Sequence, residues 1–258
     1  MPQALPSLNA DQLNEFLGLL KTVDSVELKV TIPADRGRHI MQVLGIDPLD
    51  AQIRQVVFFD TPDLALDKAG VVIRARRVQG VGDDSTVKLR PVVPADLSPA
   101  LRRNPSFGVE VDVIPGGFVC SGSMGTSGPL AVREVLLGNK AIKKVYSKEQ
   151  RAFFAEHAPE GLDINDLSVL GPIVVFKLKW KPADFPRKIV AELWNYPDGS
   201  RILELSTKCA PPEAFHVAAE ARAFLANKGI DTTGEQTTKT RTALEFFAKE
   251  LNAAGQSA

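Results

Sequence analysis

Residues 56–77, VVFFDTPDLALDKAGVVIRARR, constrain the fold more than any other stretch. Val56–Phe59 is a short apolar run that favours a strand, and it stops at Asp60-Thr61-Pro62-Asp63, where every residue has turn chemistry. Gly70 signals a second turn, after which Val72-Ile73-Arg74-Ala75-Arg76 is extended again. Alternation in that strand puts Arg74 and Arg76 on one face and Ile73 and Ala75 on the other. Two adjacent guanidiniums present rigid forks of donors, which suit a phosphate. A solvated strand face would also accept two arginines, so this strand alone does not define a site.

Other strands carry the same pattern. Ser25–Ile32 alternates strictly, with Glu27, Lys29 and Thr31 on one face and Val26, Leu28, Val30 and Ile32 on the other. Thr86–Arg90, Val109–Val113, Val174–Trp180, Ile189–Leu193 and Arg201–Ser206 follow suit, the last two joined by a Tyr196-Pro197-Asp198-Gly199 hairpin turn. Collected by strand, the basic residues are Lys29, Arg74, Arg76, Lys88, Arg90, Lys177 and Lys179. The acidic ones are Glu27, Glu110, Asp112, Glu192 and Glu204. On an open antiparallel sheet this charged face would be solvated. In a sheet curled into a barrel it would line a polar interior, with cations for a polyanion and carboxylates for its divalent metal.

Between these strands, Asn9 is placed to cap a helix carrying Leu13, Phe16, Leu17 and Leu20. Helices are also expected from Pro33 to about Leu44, over about 213–228 and over 239–251. Ser121–Gly128 reads as small and flexible, and helical spacing at 130–137 and 148–157 makes 118–160 a helical insertion, too small for its own core. The chain is therefore expected to be one α+β domain over residues 1–258.

Composition narrows the function. Among 258 residues, 31 basic side chains balance 31 acidic ones, which argues against general nucleic-acid or membrane binding. Cys120 and Cys209 have no metal-ligand spacing and read as reduced packing residues. With no signal-peptide pattern and no apolar run long enough for a bilayer, the expected location is cytoplasmic. His39, His157 and His216 fall in helical segments without ligand spacing, and Trp180 and Trp194 read as packing residues.

Assembled, these residues resemble the CYTH family, the triphosphate tunnel metalloenzymes. FFDTPDLALDKAGVVIRARR is similar to the family's aromatic-aromatic-Asp-Thr-Pro strand, turn and Arg-x-Arg strand. Thr86–Arg90 resembles its Lys-x-Arg strand, and Glu110 with Asp112 its acidic pair. The Glu192–Glu204 hairpin resembles its late acidic hairpin. Thr238-Lys239-Thr240-Arg241 resembles the Ser-Lys segment that brings one more lysine to the tunnel. The resemblance implies an eight-stranded antiparallel barrel with helices outside, cleaving a triphosphate-bearing small molecule with Mg²⁺ or Mn²⁺, as a monomer or homodimer.

By the same resemblance, Lys29, Arg74, Arg76, Lys88, Arg90, Lys177, Lys179 and Lys239 would hold phosphate. Glu27, Glu110, Asp112, Glu192 and Glu204 would hold metal, and Glu27, Lys29 and Lys239 would be catalytic. The chain departs from the family at two places. Its opening Glu-x-Glu-x-Lys reads Ser25-Val26-Glu27-Leu28-Lys29, and its last Glu-x-Glu reads Glu204-Leu205-Ser206. Two hydroxyls stand where carboxylates would face metal. The alternatives to a triphosphatase are an adenylyl cyclase and a weakened binder of polyphosphate or nucleotide.

Overall fold

A sheet that alternates charged and apolar residues encloses its charged face when it closes on itself and leaves its apolar face for helices to cover. The computed structural model describes residues 8–32, 36–232, 236 and 238–255, and its strands form a closed barrel. They are β1 (Ser25–Ile32), β2 (Gln52–Asp60), β3 (Val71–Val78), β4 (Gly82–Leu89), β5 (Phe107–Ile114), β6 (Gly117–Gly128), β7 (Ser168–Trp180), β8 (Ile189–Asn195) and β9 (Arg201–Cys209). Around the barrel they run β1-β5-β6-β4-β3-β2-β7-β8-β9.

Two expectations are corrected. The barrel has nine strands among the described residues, not eight. It is also not wholly antiparallel, because β1 pairs with β5 in parallel, Ser25 beside Glu110 and Glu27 beside Asp112.

The ninth strand is β6, most of which read as flexible because Ser121–Gly128 lacks β-branched residues apart from Thr126. It is held instead by ladders on both sides, to β4 and to β5. Its small residues answer a packing need: a Cβ on Gly122 would lie 2.7 Å from Phe107 Cζ. The helical insertion accordingly begins only after Gly128.

The helices are α1 (Ala10–Leu19), α2 (Gly37–Val43), α3 (Ala65–Lys68), α4 (Pro99–Arg102), α5 (Val132–Leu136), α6 (Lys148–His157), α7 (Ala214–Asn227) and α8 (Lys239–Gly255). Asn9 caps α1 through a reciprocal capping box with Gln12. The expected helix start at Pro33 lies outside the described residues.

Three apolar clusters hold the helices to the barrel. Val57, Phe59, Ile73, Ala75, Val87, Val109 and Val111 face outward and pack with Phe16, Val132, Phe153 and Phe154. Val30, Ile32, Leu203 and Leu205 pack with Ile40 and Phe224 of α2 and α7. The third cluster is on the inside. Val56 pairs with Arg76 and Phe58 with Arg74, so both share the arginines' face. They pack with Ile173, Val175 and Trp194, and with Ala243, Leu244 and Phe247 of α8. The apolar face of α8 is thus seated on inward-facing side chains at one end of the barrel.

Among the described residues no helix is long and apolar enough to cross a membrane. Cys120 and Cys209 are buried free thiols.

Candidate functional site

The register of β2 against β3 depends on the Asp60–Asp63 turn. Asp60 Oδ1 accepts from the backbone N–H of Thr61 and Leu66 at 2.7 and 2.9 Å, and Oδ2 from that of Asp67 at 3.0 Å. Thr61 Oγ1 accepts from Ala65 N at 2.8 Å. These bonds supply donors at the start of α3 with partners, as a capping side chain does. At the other end of α3, Gly70 has φ 73° and its carbonyl accepts from Arg90 N at 2.8 Å. A Cβ there would lie 2.8 Å from the Arg90 carbonyl oxygen, so only glycine fits the approach of β3 to Arg90.

This geometry turns Arg74 and Arg76 inward. They help line a cavity of about 750 Å³ with Lys29, Lys88, Arg90, Lys177 and Lys239, and with Glu27, Glu110, Asp112, Glu192 and Glu204. Of the charged residues singled out in the sequence, Lys179 alone is placed elsewhere. It is exposed and outside the cavity wall, because its position on β7 lies one inward step beyond Lys177, at the rim.

The charges separate into groups. On β1 and β5, an oxygen from each of Glu27, Glu110 and Asp112 comes within 4.8 Å of the other two. The parallel pairing makes this cluster, since it sets Glu27 directly beside Asp112. Lys29 Nζ sits among them, 3.0 Å from Glu27 Oε2 and 2.8 Å from Asp112 Oδ1. Asp112, with its side chain only 1 % exposed, also has Lys88 at 3.5 Å and Arg90 at 3.6 Å. Burial alone would raise its carboxyl, but Lys29 and Lys88 hold it well below the usual carboxylate range. Burial likewise opposes ionisation of Glu27, and the Lys29 ammonium overrides it and lowers Glu27. Lys29 is raised in turn, against its burial, by Asp112 and Glu27. Lys88 is lowered by burial, which outweighs Asp112.

Three hard oxygen donors fit a small divalent cation, for which ligands at 2.1 Å lie up to ~4.2 Å apart across an octahedron. The ammonium of Lys29 already stands among these carboxylates as a cation of the required sign. Both substituted serines border the cluster: Ser25 Oγ donates to Glu110 Oε2 at 3.1 Å, and Ser206 Oγ donates to Glu27 Oε1 at 3.0 Å.

A second group gathers at the N-terminus of α8. Lys239 Nζ is bonded to Glu192 Oε2 and lies 2.7 Å from Glu204 Oε1, while Lys177 Nζ holds Glu192 Oε1 at 2.8 Å. Trp194 supports this group, its Nε1 donating to Glu192 Oε2 at 3.3 Å and its ring 5.2 Å from Lys239 Nζ. Burial disfavours the Glu192 carboxylate, yet Lys239 and Lys177 hold it well below its ordinary range. Glu192 and Glu204 are not in the three-carboxylate cluster and are held by Lys239 and Lys177.

The third group is arginine-rich and lies across the barrel, since β3 and β2 are separated from β1 by at least three strands in either direction. Arg76 Nε is 2.7 Å from Asp84 Oδ1. Burial and the neighbouring Arg76 push Arg74 down to about 10. Arg54, two positions before Val56 on β2, is lowered by burial and then by Arg76.

Arg54 and Lys208 were not anticipated. Extending β2 back to Gln52 puts Arg54 in phase with Phe58, and extending β9 past Ser206 brings Lys208 into contact with Glu110. The alternation Gln52-Arg54-Val56-Phe58 and Glu204-Ser206-Lys208 was the signal.

No family model and no curated protein matches the chain. Solved structures do. A Hippeastrum protein assigned as an adenylyl cyclase, with a dominant triphosphatase activity, superposes with a TM-score of 0.61 at 15 % identity, covering 84 % of this chain and 93 % of its own. A protein of Bacillus halodurans assigned as an adenylate cyclase superposes with a TM-score of 0.51 at 15 % identity, covering 85 % and 97 %. The chain therefore shares the barrel fold of these proteins.

Proposed function

We propose that this chain hydrolyses a triphosphate-bearing small molecule inside its barrel, with Mg²⁺ or Mn²⁺. The observation that carries this reading is the separation of charge within one cavity: three carboxylates on β1 and β5, and arginines across from them on β3. A solvated sheet face needs no such partition. The activity of the Hippeastrum neighbour points the same way.

In this reading Glu27, Glu110 and Asp112 hold the metal. When bound, the metal would neutralise phosphate charge and help place the attacking water. Lys29 leaves its carboxylates and turns its ammonium to a phosphate oxygen. Arg74, Arg76, Lys88 and Arg90 hold non-bridging oxygens by charge-assisted bonds and keep the chain of phosphates in line for attack. Lys177 and Lys239 stay with Glu192 and Glu204, fixing α8 against the wall and closing that end to water.

One observation favours a second reading. Ser206 and Ser25 bond to Glu27 and Glu110, adding hydroxyls but no charge at the metal cluster. A site so weakened would bind a polyphosphate without turning it over. Incubation with tripolyphosphate, ATP and thiamine triphosphate, each with Mg²⁺ or Mn²⁺, separates the cases. Release of inorganic phosphate supports the hydrolase. Cyclic AMP from ATP would replace it with a cyclase, and binding without product would leave a binder.

A further inference from the structure

A further cavity, of about 240 Å³, lies outside the barrel between α7 and the outer face of β1 and β9. Leu28, Val30 and Leu205 form its floor, and α7 covers it with Ala218, Ala221 and Leu225. Small residues leave the space: the two alanines one turn apart on α7, and Gly116 and Gly117 where β5 turns into β6. Lys29 and Ser206 border this cavity and the charged one alike, so the β1–β9 ladder is the partition between them. Their polar ends belong to the other side, Lys29 with Glu27 and Asp112, and Ser206 with Glu27.

Packed interiors leave few voids larger than a water molecule, and water settles only where several polar groups hold it. This wall is almost wholly apolar, and Thr207 Oγ1 already donates to the Lys188 carbonyl at 2.9 Å. An engineered apolar cavity of about 150 Å³ stays dry and takes benzene, so this one has room for on the order of ten carbon atoms. Arg222 of α7 supplies a charge at the rim. It is exposed and has no hydrogen-bond or ion-pair partner among the described residues. Its neighbours three and four positions away on the helix are Ala218, Ala219, Leu225 and Ala226, none of which can neutralise it. Among the described residues, no acidic one borders the cavity.

We infer that this cavity is a binding site for a small amphiphile with an aliphatic tail and an anionic head, of the class of a medium-chain carboxylate. The tail lies on Leu28, Val30 and Leu205 beneath α7, and the head reaches the rim and pairs with the Arg222 guanidinium. A neutral chain would fill the same space but leave Arg222 unpaired, and a much longer one would leave carbons in water. The site lies on the far side of the sheet from the charged cavity and rests on nothing in the triphosphatase reading.

The test is calorimetric titration of the full chain with octanoate, 1-octanol and butyrate. Octanoate should bind saturably, once per chain, and about a hundredfold tighter than butyrate because of its longer buried tail. Octanol should bind about three- to fivefold weaker than octanoate, the effect of losing one exposed ion pair. Arg222→Gln should bring octanoate to the level of octanol and leave octanol unchanged. Ala221→Leu puts a side chain into the cavity and should weaken both ligands about tenfold or more. Thermal melting checks that it is folded, and Ala218→Leu fills the same space from one turn away if it is not. No saturable binding of octanoate by the parent, or unchanged binding in a folded, filled variant, would overturn the site. Octanol binding as tightly as octanoate, or octanoate binding unaffected by Arg222→Gln, would overturn the anionic head and with it the ligand class.

Discussion

Ser206 Oγ donates to Glu27 Oε1 at 3.0 Å, across the antiparallel pair of β9 and β1. A hydroxyl therefore completes the coordination of a carboxylate in the cluster suited to metal, where a second carboxylate would add charge. Near a divalent ion an added carboxylate gains roughly 4 kcal/mol per unit-charge pair at about 4 Å and an effective dielectric near 20. Desolvation and repulsion from Glu27 cancel much of this gain. Ser25→Glu and Ser206→Glu should each lower the Mg²⁺ or Mn²⁺ concentration for half-maximal activity by about ten- to a hundredfold. An unchanged metal dependence in folded variants would place the serines outside the metal's reach.

Lys239 lies between Glu192 and Glu204, its side chain only partly exposed. Lys239→Met leaves two buried carboxylates short of a partner, which costs about 3 kcal/mol or more in folding stability. Urea denaturation of parent and variant measures this loss. Adding Glu192→Gln to Lys239→Met should restore part of it, because the uncompensated charge goes with the lysine.

The same group sets an acid limit. Glu192 is depressed below its ordinary value of 4.5 in the folded chain. Its contribution to stability is therefore complete above that value, and it is lost as pH falls through the ordinary value toward the folded one. The urea midpoint should drop between about pH 5 and pH 3. The drop should be smaller in the Glu192→Gln, Lys239→Met double variant. Equal slopes in parent and double variant would show that Glu192 does not carry the dependence.

Gln150 ties α6 to the barrel from outside. Its amide donates to the carbonyls of Ser85 and Met124 at 3.1 Å each, and its oxygen accepts from Ser85 Oγ at 2.9 Å. Gln150 Oε1 also accepts from Ser147 N–H at 3.0 Å, so four bonds are lost in Gln150→Ala, and the variant should lose on the order of 2–4 kcal/mol by urea denaturation. Tripolyphosphate affinity in the variant that remains folded should not change, since Gln150 lies on the outer face.

Much of this was legible because alternation is a strong signal when each face has a distinct character. Glu27, Lys29, Arg74, Arg76, Lys88, Glu110 and Asp112 fall on the inner wall that their spacing implied. The ends and the small-residue strand were not legible. β6 is specified by what packs on it, Phe107 above all, rather than by its own propensity. Arg54 lay beyond the apolar run taken as the start of β2, and Lys179 lay beyond the point where β7 still faces the cavity. Periodicity gives phase but not the position of the rim. Nor does it reveal the parallel pairing of β1 with β5, a contact between segments 85 residues apart at Ser25 and Glu110, on which the three-carboxylate cluster depends.

In the proposed function one wall of the barrel holds the metal and the other holds phosphate. The direct measurement is a crystal structure grown with Mn²⁺ and tripolyphosphate, with Mn²⁺ located by its anomalous scattering. An Mn²⁺ peak bound by Glu27, Glu110 and Asp112 is expected, with phosphate oxygens against Arg74, Arg76 and Lys88. Mn²⁺ confined to the outer surface, with no phosphate in the barrel, would contradict it.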